Sequence, residues 1–384
     1  MKRLKYYIIT VVLIAAMPAF QKASLSWSLM NLFVSNTYNE QELKYIVELD
    51  PDKDLYFLPS LKNKAFFDAV EDLSICRNAE VRKYLYIYLT TGRQYVVKSI
   101  ERSGLYLDTM EKIVRKDGEI PEDIVLLPLL ESGFNPFAVS RSRAVGLWQF
   151  LASTSGILGL QSNRWVDERR DVEKSTRAAI RHLKTLHSIF KSWDLALAAY
   201  NGGAGHVKRA MLKTGTDTFW DLHGTGALRQ ETAEYVARYA ALMVIYKNRR
   251  LFGIDDEISP FKPGDTEGLA LRYPVNLRNV AAITGADIEL LRKLNPELSG
   301  NLTPPYEKNY HLRLPAELKK KLEADDKKLY RLKFSSITRH TVRKGECLSS
   351  IARRYGASTR GIILLNEIGN PGYIYPGQTL YIPN

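Results

Sequence analysis

From Leu43 to Leu251, apolar residues recur at three- and four-residue steps between short Gly, Pro and Asp breaks, and no stretch sustains a period of two. This spacing predicts a mainly α region. One helix opens at Asp171, whose carboxylate suits an N-cap, and lays Val172, Thr176, Ala179, Leu183, Leu186 and Phe190 along one face. Another runs from Trp193 to Tyr200 and stops at Asn201-Gly202-Gly203, where small residues let the backbone turn sharply. The stretch from Phe252 to Thr266 contains Pro260 and Pro263 with two glycines and reads as a linker.

Beyond the linker the pattern repeats itself. A shift of 71 positions pairs Leu277 with Leu348, Val280 with Ile351, Gly285 with Gly356, Ala286 with Ala357, Leu291 with Ile362, Leu294 with Leu365 and Asn295 with Asn366. A shift of 68 then pairs Leu312, Leu314 and Pro315 with Leu380, Ile382 and Pro383, so one loop differs by three residues. In the second copy Thr341-Val342 reads as a short strand, and Leu348, Ile351, Ala352 and Tyr355 form a helical stripe that Gly356 can cap. A second helix covers Thr359 to Asn366 and a strand returns at Thr379 to Ile382, giving the order strand, helix, helix, strand. Between the copies, Ala316 to Lys333 is dense in Lys, Glu and Asp and reads as a solvated helix or linker.

The length of 384 residues allows two or three domains. Fifty-five Lys and Arg against 42 Asp and Glu leave a net charge of +13, which favours an anionic partner without choosing between nucleic acid, membrane and wall polymer. The start of the chain narrows that choice. Lys2, Arg3 and Lys5 precede the uncharged run Ile8 to Phe20, the layout of a secretion signal, with cleavage after Ala23 or retention as an anchor. An exported chain makes nucleic acid an improbable target and points to the cell envelope. Cys76 and Cys347 lie far apart, match no metal or iron–sulfur spacing, and leave free or paired states open. The six histidines include no HExxH, so neither a metal nor a cofactor is expected.

The chemistry concentrates where the apolar run in Pro121 to Ser132 ends in a single acid, Glu131. Desolvation there disfavours the carboxylate and would hold a proton near neutral pH, as a general acid requires. Glu131-Ser132-Gly133-Phe134-Asn135-Pro136 leads through Ser140 to Gly146-Leu147-Trp148-Gln149, and Ala199-Tyr200-Asn201-Gly202 follows about fifty residues later. In this order and spacing, the elements resemble the lytic transglycosylase domain of the soluble-transglycosylase, or goose-lysozyme-like, superfamily. The N-terminal extension, the Arg169 to Ala179 segment and the terminal repeats are similar to its membrane-bound D-type branch, and the resemblance spans nearly the whole chain.

The resemblance implies that Glu131 is the catalytic acid. It would protonate the glycosidic oxygen between N-acetylmuramic acid and N-acetylglucosamine, then take the proton of the muramic 6-hydroxyl as that oxygen attacks the anomeric carbon. The product would be a 1,6-anhydro sugar. Ser140 matches the family serine beside the acetamido group, Gln149 and Tyr200 match residues lining the sugar groove, Asn201 supports that loop, and Tyr235 matches a tyrosine opposite the acid. The second repeat resembles a LysM glycan-binding module through Gly345-Glu346-Cys347-Leu348, Asn366 and Pro376-Gly377-Gln378-Thr379-Leu380. Cys347 stands where that family has Thr, a weaker hydrogen-bonding group. The first repeat has Pro274-Val275 at the corresponding place and reads as a degenerate copy.

The expected architecture is a mainly α, lysozyme-like catalytic domain with small βααβ LysM-like modules. Its expected divisions are a signal or anchor (1–23), a helical extension (24–105), the catalytic domain (106–251), a linker (252–270), the degenerate repeat (271–315), a charged linker (316–337) and the LysM domain (338–384). The expected partner is peptidoglycan glycan, with protein partners open. Two rivals remain: a hydrolase of the same fold, such as a muramidase or chitinase, which would need a second acid near the first, and a wall-binding protein without activity. Asp167 and Asp171 are the nearest patterned acids, and nothing in one dimension brings Asp167 to the site.

Overall fold

The computed structural model describes residues 78–250, 252–259, 265–271, 274–304, 310–325, 332, 337–366, 368–370 and 372–383. The segment expected as a secretion signal, most of the expected helical extension and Cys76 lie outside them. Helix α1 (Ala79–Leu89) starts at Asn78, whose side chain accepts from the amides of Glu80 at 2.9 Å and Val81 at 3.3 Å. It is followed by α2 (Arg93–Ser103), α3 (Leu107–Asp117), a 3₁₀ turn over Glu122–Leu126 and the short α4 (Leu127–Glu131). Next come α5 (Ala152–Ile157), α6 (Val172–Phe190), α7 (Trp193–Gly202), α8 (Ala204–Thr214), α9 (Phe219–His223) and α10 (Gln230–Lys247).

Helix α6 has the start the sequence predicts, because Asp171 accepts from the Lys174 amide at 2.8 Å. The centre of the helical body is α10. It buries Val236, Ala237, Ala240, Ala241, Leu242, Val244 and Ile245 on several faces, as an interior helix does. The alanines let α7 and α1 approach it closely, and α4 packs on both α10 and α2. Helices α1 and α2, which the sequence reading places in the extension 24–105, pack directly on this helical body, α1 against α10 and α2 against α4. Val81, Tyr84, Ile87, Val96 and Ile100 are buried on their apolar faces.

Two small modules follow. The first pairs β1 (Thr266–Leu271) antiparallel with β2 (Tyr310–Pro315), in register from Thr266 opposite Pro315 to Leu271 opposite Tyr310, under α11 (Leu277–Thr284) and α12 (Ile288–Leu294). Strand β1 begins inside the stretch expected as linker, because its buried alternate residues Leu269 and Leu271 come directly after the prolines. Helix α13 (Ala316–Glu323) buries Leu322 against this module and is not free in solvent. The second module pairs β3 (Ile337–Thr341) with β4 (Thr379–Pro383) under α14 (Leu348–Tyr355) and α15 (Thr359–Asn366). Its first strand lies a few residues before the expected Thr341-Val342.

One side chain closes each module in the same way. Asn295 donates to the carbonyls of Leu291 at 2.8 Å and Arg313 at 2.9 Å, and accepts from the Arg313 amide at 2.8 Å. Asn366 donates to Ile362 at 2.8 Å and Tyr381 at 2.6 Å, and accepts from Tyr381 at 2.8 Å. A buried amide with all its groups engaged costs nothing in lost hydrogen bonds and fixes helix to strand.

Candidate active site

Glu131 ends α4, held from behind by α2. Tyr95 donates to the Leu129 carbonyl at 2.5 Å, and Arg102 donates to that of Gly133 at 2.9 Å. Ser132, buried, donates to the Leu147 carbonyl at 2.9 Å and so ties the acid to the Gly146-Leu147-Trp148-Gln149 turn. Glu131 keeps part of its surface open to solvent, while its carboxyl is enclosed and accepts a short hydrogen bond from the Tyr235 hydroxyl on α10. Burial pushes that carboxyl up to about 7; the Tyr235 hydrogen bond and Arg238 pull it down, and the Glu231 carboxylate pushes it further up. Burial and the Glu131 charge together hold the Tyr200 and Tyr235 hydroxyls protonated.

The turn that faces this acid is tightly built. Val139 and Val145 form a bridge, the Ser140 hydroxyl accepts from the Ala144 amide at 3.0 Å, and Arg143 and Gln149 take left-handed conformations at φ 62° and 48°. Gly146, at φ 87°, is required here: a Cβ would stand 2.0 Å from the Arg169 carbonyl oxygen. Gln149 donates to Gly146 at 2.9 Å and to Ala138 at 3.3 Å, so its amide nitrogen braces the turn from within. Trp148 is fully buried, with its indole donating to Thr176 at 3.0 Å. Its carbonyl accepts from the Tyr200 hydroxyl at 2.7 Å. Asn201 donates to Glu231 at 3.2 Å and accepts from Thr232 at 2.9 Å, and a Cβ on Gly202 would stand 2.6 Å from the Thr232 hydroxyl.

Three segments distant in the chain thus meet in one hydrogen-bonded ring around Glu131. Of the predicted residues, Tyr235 touches the acid, Tyr200 and Asn201 close the ring, and Ser140 and Gln149 shape the turn. Sequence reasoning assigned no role to Ser132, Arg238 or Glu231. Glu231 lies one helical turn before Tyr235, and that i, i+4 spacing was the available signal. Among the described residues, no three His, Cys, Asp or Glu side chains group to hold a metal ion, and no helix is long and apolar enough to cross a membrane.

In the second module the expected glycan residues separate. Gly345, Cys347 and Pro376 are on the surface. The Glu346 carboxylate accepts from the Arg343 amide at 2.8 Å and lies 2.7 Å from His340 Nε2, and it also pairs with Arg354 at 2.5 Å. With the Arg343 hydrogen bond foremost, these contacts hold it down at about 2. Leu348 and Asn366 are buried, and the Asn366 amide is fully engaged by backbone, so the structure gives both a place in the scaffold and leaves no free group for a ligand. Cys347 is a free, exposed thiol, lowered to about 7 by hydrogen bonds from Ser349 and Ser350. Two exposed aromatics that the sequence reading passed over, Tyr373 and Tyr375, stand beside Pro376.

A helical body with an acid enclosed beside a tyrosine of its central helix, joined to βααβ modules, defines the class: a lysozyme-like domain of the transglycosylase type. The family model described as Transglycosylase SLT domain matches residues 108–222, the LysM domain matches 340–383, and the LysM-like domain of lytic transglycosylase MltD matches 266–331. Membrane-bound lytic murein transglycosylase D of Escherichia coli strain K12 is 32% identical over 356 residues, covering 86% of this chain and 73% of that protein. The chain belongs to the family of membrane-bound lytic murein transglycosylase D. Membrane-bound lytic murein transglycosylase C of Edwardsiella ictaluri is 31% identical over 122 residues, covering 28% of this chain and 34% of that protein. The crystal structure of the 70 kDa soluble lytic transglycosylase of Escherichia coli overlaps 40% of this chain and 26% of its own, at 19% identity and a TM-score of 0.32.

Proposed function

We propose that this protein cleaves the glycan strands of peptidoglycan as a lytic transglycosylase, with Glu131 as its single catalytic acid and base. The observation that carries the reading is the enclosed Glu131 carboxyl, hydrogen-bonded by Tyr235 and raised to about 7. A group so poised gives a proton to the glycosidic oxygen and, as carboxylate, takes one from the muramic 6-hydroxyl. That hydroxyl then attacks the anomeric carbon of its own ring, the 1,6-anhydro end forms, and the proton count balances without water. Ser140, Gln149, Tyr200 and Asn201 shape the sugar site around it.

The second module holds the enzyme on the wall, and the net charge of +13 suits an anionic polymer. The basic and apolar segment over residues 1–23 and the membrane-bound relatives support a place in the cell envelope. The placement of Glu231 favours a second reading: one turn before Tyr235 on α10 and bonded by Asn201, it offers a second carboxyl of the kind a water-using glycosidase needs.

Mass spectrometry of muropeptides released from purified murein separates the two. Products one water lighter than hydrolytic ones, lost in Glu131→Gln, are expected. Reducing-end products that depend on Glu231 would replace the lytic reading with a muramidase.

A further inference from the structure

The first module sits on the catalytic body through the connection after its second helix, and the second module meets the same surface more lightly, through Leu365, Asn366 and Tyr381. In the second module the connection between α15 and β4 exposes Tyr373 and Tyr375, 79% and 66% open to solvent. Shifted by 71 positions, the start of that connection corresponds to Glu297, Leu298 and Ser299 in the first module. There the Glu297 carbonyl accepts from the Asp167 amide at 2.8 Å, Leu298 pairs with Val166, and the Ser299 amide donates to Trp165 at 2.9 Å. Trp165 and Val166 share one apolar core with Leu277, Leu291 and Leu312 of the module. The Tyr106 hydroxyl adds a bond to the Lys293 carbonyl at 3.1 Å.

Arg313 locks this contact. Its guanidinium bridges Asp171, at 3.1 and 3.2 Å, and Glu297, at 3.1 Å, with both carboxylates buried. Glu297 also accepts from the Tyr310 hydroxyl at 2.5 Å. Asp171 is the N-cap of α6, so the module grips the helix start directly.

From there a continuous set of contacts reaches the active site. Asp167, whose amide is held by Glu297, grips Arg169 through two hydrogen bonds of 2.8 and 2.7 Å. Arg169 donates at 3.4 Å to the carbonyls of Arg143 and Phe150, the ends of the turn that carries Gln149. Its own carbonyl fills the space left by the missing side chain of Gly146. That turn holds two non-glycine residues at positive φ, a conformation that persists only where the surroundings enforce it.

We propose that the first LysM-like module is an internal brace of the catalytic turn instead of a glycan-binding module, with Arg313 and Glu297 as positioning residues. The inference rests on the lytic reading for its effect on turnover, and its structural half stands apart from that reading. Breaking a buried ion pair outright endangers the fold, so the first variant is Arg313→Lys, which keeps the charge but cannot fork between Asp171 and Glu297. Glu297→Gln is the second, since it strands no charge of its own.

In the full-length chain, both variants should raise amide exchange over residues 143–150 and lower kcat on purified murein by roughly tenfold, the scale of a displaced positioning contact. Retention on murein should not change. Lys319→Ala, which breaks a surface pair with Glu267 within the same module, should leave exchange and kcat at wild-type values. Wild-type exchange and kcat in both variants would overturn the proposal, as would lost murein retention with kcat intact. A wild-type protein that releases no anhydro product would instead defeat the lytic reading, and the exchange experiment would still decide the brace.

Discussion

The two LysM-like modules share a fold, a buried asparagine at the same register and a two-stranded sheet, yet the chain uses their surfaces differently. In the first, the connection after the second helix is buried against Trp165 and Val166, and Arg313 closes the contact over two buried acids. In the second, the matching connection is open and presents Tyr373 and Tyr375 to solvent. The second module touches the catalytic body more lightly: Arg164 donates to the Asn366 carbonyl, and Tyr381 packs edge-on to Trp165 at 5.1 Å. A duplicated scaffold keeps its fold through core and staple while its loops diverge in what they meet.

The largest effect lies outside both modules and sets the scale: Glu131→Gln should cost roughly a thousandfold in product release, the range of a lost general acid, with murein retention intact. Next come the paired staples. Asn295→Ala and Asn366→Ala should each destabilise by about 2 kcal/mol, since each strands buried backbone groups. Only Asn295→Ala should also lower kcat, and equal kcat losses in the two variants would erase the distinction between the braced module and the lightly held one. Tyr373→Ala with Tyr375→Ala should weaken retention on murein by about tenfold, on the scale of two aromatic contacts, and leave kcat alone.

The smallest effect is a shift in pH. Glu131 is protonated below about 7, so product release should fall about tenfold per unit above that value as the acid is lost. Tyr235→Phe removes a hydrogen bond that favours the carboxylate and should move this limb to higher pH. The same raised value has a linked cost to stability. Relative to an ordinary carboxyl at 4.5, Glu131 contributes most below that pH and loses its contribution as pH rises through about 7. An unchanged limb in Tyr235→Phe would remove Tyr235 from control of the acid.

Much of this was legible in one dimension because its causes are local. Asp171 caps α6 with an oxygen three residues from the amide it serves, and apolar spacing alone draws the buried face of the helix. The repeat was legible because both copies keep the same staple and core positions in register. The raised value of Glu131 followed from an apolar run ending in one acid. Less could be read of what surrounds that acid: Glu231, the contact between Gly146 and Arg169, and the packing of α1 on α10 and of α2 on α4 all depend on segments distant in the chain. Glu346, Leu348 and Asn366 look like binding residues as a motif, and only their hydrogen bonds and burial assign them to the scaffold.

Periodicity, capping and motif spacing are properties of neighbouring residues, and they were enough to read the helices, the duplicated βααβ unit and the family. The tertiary structure alone decided which residues stand against the acid and which module is bound to the body. Arg313 and Asp171 are 142 positions apart, and Tyr235 and Glu131 are 104 apart. Such pairings arise when packed faces exclude water around charges, and a linear pattern of charges carries no record of that burial.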